Sequence, residues 1–364
     1  MLIATPRVAI FYVYLLEKLL LINTLIGGIN CMKKSVIAII IAALVCVGGG
    51  YAISRNSQSV DSSNVTTVDK QYNEVVIRND KDGNKRELKF TEVPKKAISF
   101  NQSTTEMMLT LGLGDKMVGT SYLDDEILPN LKDQYDKIEV LSDKYPSLEV
   151  VLSKNPDFLI GWPSAFSEKN IASYKTWDEK GVKAYIPNSL LKKEQQKIED
   201  GYNDILDLGK IFNVEDKANE VVNGMKKKVE DVQAVVSKET NKPKVAIIDD
   251  YEDGQLSTMS GDTLESNLIE LAGGENVLKD FKGYEISIED FVVKQPEVIV
   301  LNDYKGGTPI EERIKSIKEN KVLSQVPAVK NNRFVVIPLG ETMIGVRNAD
   351  GVVRLAKGFY PDKF

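Results

Sequence analysis

The chain has 364 residues, 42% hydrophobic and 27% charged, with a formal net charge of −6 and no histidine. That length fills two ordinary α/β domains with real cores, and the acidic balance speaks against a nucleic-acid binder, which needs a basic face. Without histidine the common zinc sites, the usual serine triad and most histidine general-base chemistry are excluded, and the only cysteines, Cys31 and Cys46, lie in the N-terminal apolar region.

Residues 1–53 read as an export signal or membrane anchor. Lys33 and Lys34 follow Met32 and precede SVIAIIIAALVCVGGGYAI, a basic n-region and an apolar h-region, so Met32 is the expected native start. Cys46 is a candidate lipid-attachment residue, although Ala43-Leu44-Val45 departs from the usual lipoprotein tripeptide; the alternative is an uncleaved anchor. Either leaves the bulk of the chain outside the cytoplasm, tethered to the outer face of the cytoplasmic membrane. Residues 54–73 are polar, rich in Ser, Asp and Thr, and read as a flexible stalk.

Residues 74–213 alternate strand and helix, as an α/β lobe does. A hairpin is predicted over Glu74 to Phe90 around Asp82-Gly83, then a strand from Ala97 to Phe100 and a helix opening on Ser103-Thr104-Thr105-Glu106. Strands at Met117 to Thr120 and Lys183 to Pro187 follow, with a helix near Ala172 to Lys180 between them. Leu191 to Ser237 is helical in pattern, broken once near Phe212-Asn213-Val214, and 214–240 is read as a helix connecting the lobes. Residues 241–364 resume the alternation, with strands at Lys244 to Asp249 and Arg333 to Pro338 and helices at Leu264 to Ala272, Glu311 to Asn320 and Ala349 to Phe359.

One pattern occurs in both lobes. Ser147 to Ile160 reads SLEVVLSKNPDFLI and Ser287 to Val300 reads SIEDFVVKQPEVIV. Each has a Ser to cap a short helix, a carboxylate in its first turn, an Asn-Pro or Gln-Pro stop, an acidic residue and a buried parallel strand. Recurrence once per half predicts two similar lobes with the functional site between them.

PKKAISFNQSTTEMMLTLGLGDKMVGTSY, the repeat, TLESNLIELAGGENVLKD, VPAVKNNRFVVIP and LAKGFYPDKF, taken in this order, resemble the ABC-transporter substrate-binding proteins of the siderophore, haem and cobalamin class. The resemblance covers nearly everything from about Val76 onward. It implies two Rossmann-like α/β lobes joined by a long rigid helix, a ligand cleft between them, and a non-enzymatic, monomeric receptor. The expected ligand is a metal chelate, most of all a ferric siderophore, with haem or cobalamin as the alternative and no resident cofactor or protein-bound metal. The expected partner is an ABC permease dimer with a cytoplasmic ATPase. A sensor or an enzyme on the same fold is the competing class; the chain lacks the GxxxxGK[ST] phosphate loop. The resemblance also implies that Glu149 and Glu289, one per lobe, dock onto the permease, although a carboxylate in a first helical turn is favoured by the helix dipole in any case.

Loops at the carboxyl ends of α/β strands supply the ligand candidates: Asn101, Tyr122, Trp162 and Phe166 in the first lobe, Tyr251, Tyr304 and Arg347 in the second. Aromatic faces suit a flat chelate, and an arginine suits a carboxylate or an anionic ferric complex. Arg347 has two other readings, capping the final helix or pairing with Glu341. Asp124-Asp125-Glu126 lacks the spacing of a calcium loop and is read as a solvated loop.

Overall fold

Short apolar runs become parallel strands buried on both faces in each half of the computed structural model, which describes residues 72–79, 86–192, 194–252, 254–259 and 261–364. The export region with Met32 and Cys46, the stalk up to residue 71 and the Asp82-Gly83 turn lie outside the described residues. Strands β1 (Val75–Arg78) and β2 (Glu87–Phe90) form the antiparallel hairpin. Strands β3 (Ala97–Ser99), β4 (Met117–Ser121), β5 (Val140–Ser142), β6 (Phe158–Ile160) and β7 (Lys183–Tyr185) make a parallel sheet in the order β5-β4-β3-β6-β7.

The second lobe adds β8 (Lys244–Ile248), β9 (Asp250–Glu252), β10 (Gln255–Ser257), β11 (Glu275–Asn276), β12 (Glu285–Ile286), β13 (Val298–Asp303) and β14 (Phe334–Pro338). Four of them form a parallel sheet, β11-β8-β13-β14, and β12-β10-β9 form a small antiparallel one. The small sheet is a departure from the sequence reading at Tyr251, a strand-end loop residue there, which instead lies in β9.

Because strand side chains alternate, a sheet covered on both sides needs apolar residues at every position. Ala97, Phe158 and Ile160 face one core and Ile98 and Leu159 another. Val245, Ile247, Val298 and Val300 of the second lobe enter that same first core, while Ala246, Ile248, Ile299 and Leu301 face a third. One core therefore runs through both lobes. Its wall is the helix Glu215–Val236, whose buried Ala218, Val222, Met225, Val229, Val232 and Val236 recur at steps of three and four. Helices Ile198–Ile211 and Asn348–Phe359 pack on it. Gly209 permits the close crossing: a Cβ there would lie 2.5 Å from that of Ala218.

The helix does not start at Leu191, contrary to the pattern: a short 3-10 turn, Asn188–Leu191, ends there, and the helix starts at Ile198. Asp200 accepts from the backbone of Lys197 at 2.7 Å, and Asn267 of the second lobe accepts from the Ile198 amide at 2.9 Å. A cap supplied from 69 residues away leaves no local signature.

Two buried carboxyls add a pH dependence. Burial pushes Asp204, on the helix Ile198–Ile211, up to about 7 against its hydrogen bonds from Ser189, and pushes Glu265 up to about 7 as well. Both hold protons in the fold that the unfolded chain releases near pH 4. Their stabilisation is complete below about pH 4 and is lost as pH rises through about 7, on the order of a few kcal/mol per group. Urea midpoints are expected to fall between about pH 5.5 and 8.5, and Asp204→Asn to flatten that profile; an unchanged slope in the variant would refute the assignment to Asp204.

Candidate functional site

The helix Gln102–Thr110 follows β3 and points its first turn at the cleft. Asn101 is its N-cap; its Oδ1 accepts from Thr104 Oγ1 at 2.6 Å and its Nδ2 donates to Ser103 at 2.8 Å. Gln102 shapes the next loop. Its Oε1 accepts from the amides of Asp124 (3.1 Å) and Asp125 (2.7 Å), and its Nε2 donates to the Glu126 carbonyl at 3.1 Å.

One turn along the same helix face, Glu106 is 2% exposed and meets Arg347 of the second lobe. Arg347 Nε donates to Glu106 Oε2 at 2.7 Å, and its Nη2 donates to Oε1 and to the Glu126 carbonyl. Glu106 Oε1 also accepts from the Leu128 amide at 2.9 Å. Bidentate geometry of this kind is the strong form of an ion pair. Its carboxylate and guanidinium are 241 positions apart in sequence and join the lobes.

The lobes also meet through backbone. The Lys305 amide donates to the Asp124 carbonyl at 3.0 Å, and a Cβ at Gly345 would lie 3.3 Å from that of Ser103. The interlobe space is thereby divided. An inner pocket, lined by Gln102, Glu106, Asp124, Trp162, Met343 and Arg347 among others, has about 10 Å³ of internal space, room for about one water. An outer groove of about 520 Å³, lined by Asp125, Lys132, Tyr135, Asp303, Tyr304 and Lys305 among others, has the size of a small-molecule site.

An aromatic cluster stands at this cleft. The Tyr122 ring lies 4.9 Å from Tyr145 and 6.0 Å from Trp162, and the Lys144 ammonium sits 4.3 Å above the Tyr122 ring. Tyr122 has φ 61°, a left-handed conformation that a bulky residue adopts only when its surroundings enforce it. Burial raises the carboxyl of neighbouring Asp124 above its ordinary range, with Lys144 opposing. On the other lobe, Tyr304 donates to Asp250 Oδ2 at 3.0 Å. Arg313 is wholly buried behind it, with Nε 3.1 Å from Asp250 Oδ1 and Nη1 donating to the carbonyls of Asp249 and Asn302.

Among the sequence candidates, the cleft thus gathers Trp162, Tyr304 and Arg347, with Tyr122 packed against Trp162. Three others lie elsewhere. Asn101 is fully buried as a cap. Phe166, 2% exposed, packs between Phe100 (6.0 Å) and Tyr174 (5.5 Å) in the first lobe's outer core. Tyr251 packs into the second lobe's outer core, with its hydroxyl accepting from Asn320 at 3.0 Å. A strand-end aromatic reads the same in sequence whether it turns into the cleft or under the sheet. Arg347 pairs with Glu106 rather than Glu341, which instead binds Arg354 at 2.7 and 2.8 Å. Glu106 itself has a capping role in the sequence reading; its spacing of four from Gln102 is the signal that both share one face.

Glu149 and Glu289 are exposed in the first turns of helices Leu148–Ser153 and Ile288–Val293. Ser147 accepts from the Val150 amide at 3.4 Å and Ser287 from the Asp290 amide at 3.0 Å, so the two N-caps match. The Glu149 backbone amide and Ser147 hold its carboxylate below the usual range.

A family model described as periplasmic binding protein matches residues 98–339. The chain is 26% identical over 332 residues to the uncharacterized ABC transporter substrate-binding lipoprotein YvrC of Bacillus subtilis (strain 168), covering 90% of this chain and 96% of that protein. It is 25% identical to the vitamin B12-binding protein of Vibrio parahaemolyticus over 57% of this chain and 70% of that one, and 24% identical to the petrobactin-binding protein YclQ of Bacillus subtilis over 83% and 89%. A solved periplasmic binding protein from Veillonella parvula superposes with a TM-score of 0.74 at 36% identity, covering 80% of this chain and all of that one. With its two parallel-sheet lobes and interlobe cleft, this chain belongs to the periplasmic binding protein family and is a substrate-binding receptor of an ABC importer.

Proposed function

We propose that the receptor captures a bulky metal chelate, a ferric siderophore, between its lobes and delivers it to an ABC permease dimer with a cytoplasmic ATPase. The observation that carries this reading is a groove of about 520 Å³ lined from both lobes, together with an aromatic cluster, Tyr122, Tyr145 and Trp162, that reaches the inner pocket through Trp162. Such a cluster offers broad faces to a large ring-bearing ligand. The petrobactin-binding relative supports an iron chelate; the vitamin B12-binding relatives support a corrinoid as the second reading. In this reading the chain acts as a monomer by binding alone. Cys46 tethers it to the outer face of the cytoplasmic membrane, in keeping with a relative named as a lipoprotein.

The test uses the two tryptophans. Trp162 lines the inner pocket, whereas Trp177 is fully buried in the first lobe. Titration with ferric siderophores, haem and cobinamide is expected to give saturable fluorescence quenching by at least one chelate, and Trp162→Phe to remove most of it. Absence of a saturable response to every chelate would overturn the reading.

A further inference from the structure

The charges around the cleft narrow the ligand. Resting on the receptor reading above, we propose that the site selects a chelate of neutral or positive net charge and rejects anionic ones. The arginines in its walls are already matched. Arg347 is bidentate to Glu106 and lies 3.6 Å from Asp125, and buried Arg313 lies 3.1 Å from Asp250. Lys132, on the rim of the groove, is bonded to Asp136. Lys305 and, over the Tyr122 ring, Lys144 remain, against the carboxylates of Asp124, Glu126 and Asp303 around the same two spaces.

An anionic chelate entering this cleft meets more carboxylates than cations, and like charges brought together at an interface are a strong source of rejection. A cation meets the opposite. Asp124 is a partly buried carboxylate whose charged form is disfavoured by burial, so a nearby positive charge relieves it. The aromatic cluster is suited to the same sign: its Tyr122 face already carries an ammonium, that of exposed Lys144, at 4.3 Å. Lys144 occupies the position that a ligand cation would take, and it is exposed.

A charge series on one frame isolates this effect from ligand shape. The iron complex of a linear trihydroxamate bearing a terminal amine is cationic; acetylating the amine makes it neutral, and succinylating it makes it anionic. Cobinamide supplies a second series, the aquocyano form being cationic and the dicyano form neutral. Fluorescence titration is expected to show the cationic member binding about tenfold tighter than the anionic one, with the ratio shrinking as salt rises. Asp124→Asn with Asp125→Asn should cut that ratio about threefold to tenfold. Thermal melting of the variant shows that it remains folded. Binding of the anionic member as tightly as the cationic one overturns the charge selection and leaves the receptor reading standing. If no member of either series binds, and haem and other ferric siderophores fail as well, the chelate-receptor reading falls and the inference with it.

Discussion

Arg347→Ala is expected to lower the free energy of unfolding by about 3–5 kcal/mol, the usual result of removing one partner from a buried ion pair. The loss would come less from missing attraction than from what is left behind. Glu106 is 2% exposed, and without the guanidinium its hydrogen bonds reduce to the one from the Leu128 amide. A charged carboxylate would then sit between two lobes with no counterion. The paired replacement Glu106→Gln with Arg347→Met should cost much less than the single change, because neither residue then strands a charge. Urea unfolding of the two single variants and the double variant gives the coupling energy directly. Should Arg347→Ala remain within about 1 kcal/mol of the parent, a range typical of exposed pairs, the interlobe contact would not be formed in solution. With the Arg347–Glu106 pair and the Asp124–Lys305 contact in place, the inner pocket has room for about one water and does not fit a chelate.

Reversing both exposed glutamates, Glu149→Lys with Glu289→Lys, is expected to abolish uptake in cells while leaving chelate affinity within about twofold. Each carboxylate stands on a short helix capped by its own Ser, exposed, with the same pattern of burial over the four residues that begin the helix. Neither side chain contributes to the core or lines the cleft, so charge reversal leaves both intact. Rim charges on a partner surface act on encounter and register, and two charges on two lobes would present a paired feature to the proposed permease dimer. Single reversals should reduce uptake, and raised salt should weaken it in the parent. Uptake that persists in the double variant would remove docking from these residues; loss of chelate binding in that variant would show that they act within the receptor instead.

Much of the fold was legible because the signals that define it are local. Continuous apolar runs such as Phe158 to Ile160 and Val298 to Leu301 require strands covered on both faces, and Ala218 to Val236 carries a helical stripe that needs a partner on one side only. The break at Phe212-Asn213-Val214 is equally local: Asn213 takes φ 56°, a conformation that ends one helix before the next begins. The small sheet of β9, β10 and β12 was not legible. Its strands are two or three residues long, too short for alternation to register. The site divides in the same way. Trp162 and Tyr304 stand at strand ends and line the cleft, as the rule for α/β sheets leads one to expect, whereas Phe166 and Tyr251 satisfy the same rule and turn into cores.

The repeated unit shows where the boundary falls. Its sequence by itself determined two lobes, two Ser-capped helices and two exposed glutamates, because capping, proline stops and strand alternation act over a few residues. Only the tertiary structure decided what its acidic residue after proline does. Asp157 accepts from the amides of Lys95 and Lys96 at 2.8 and 2.9 Å, and Glu297 accepts from the Lys244 amide at 2.9 Å, so each clasps the start of the neighbouring central strand. Tertiary structure likewise decided that Arg347 belongs to Glu106 and that the cleft is left with more carboxylates than cations. Ion pairing depends on which side chains the fold brings within a few ångströms, and residues 241 positions apart in sequence carry no local mark of that meeting.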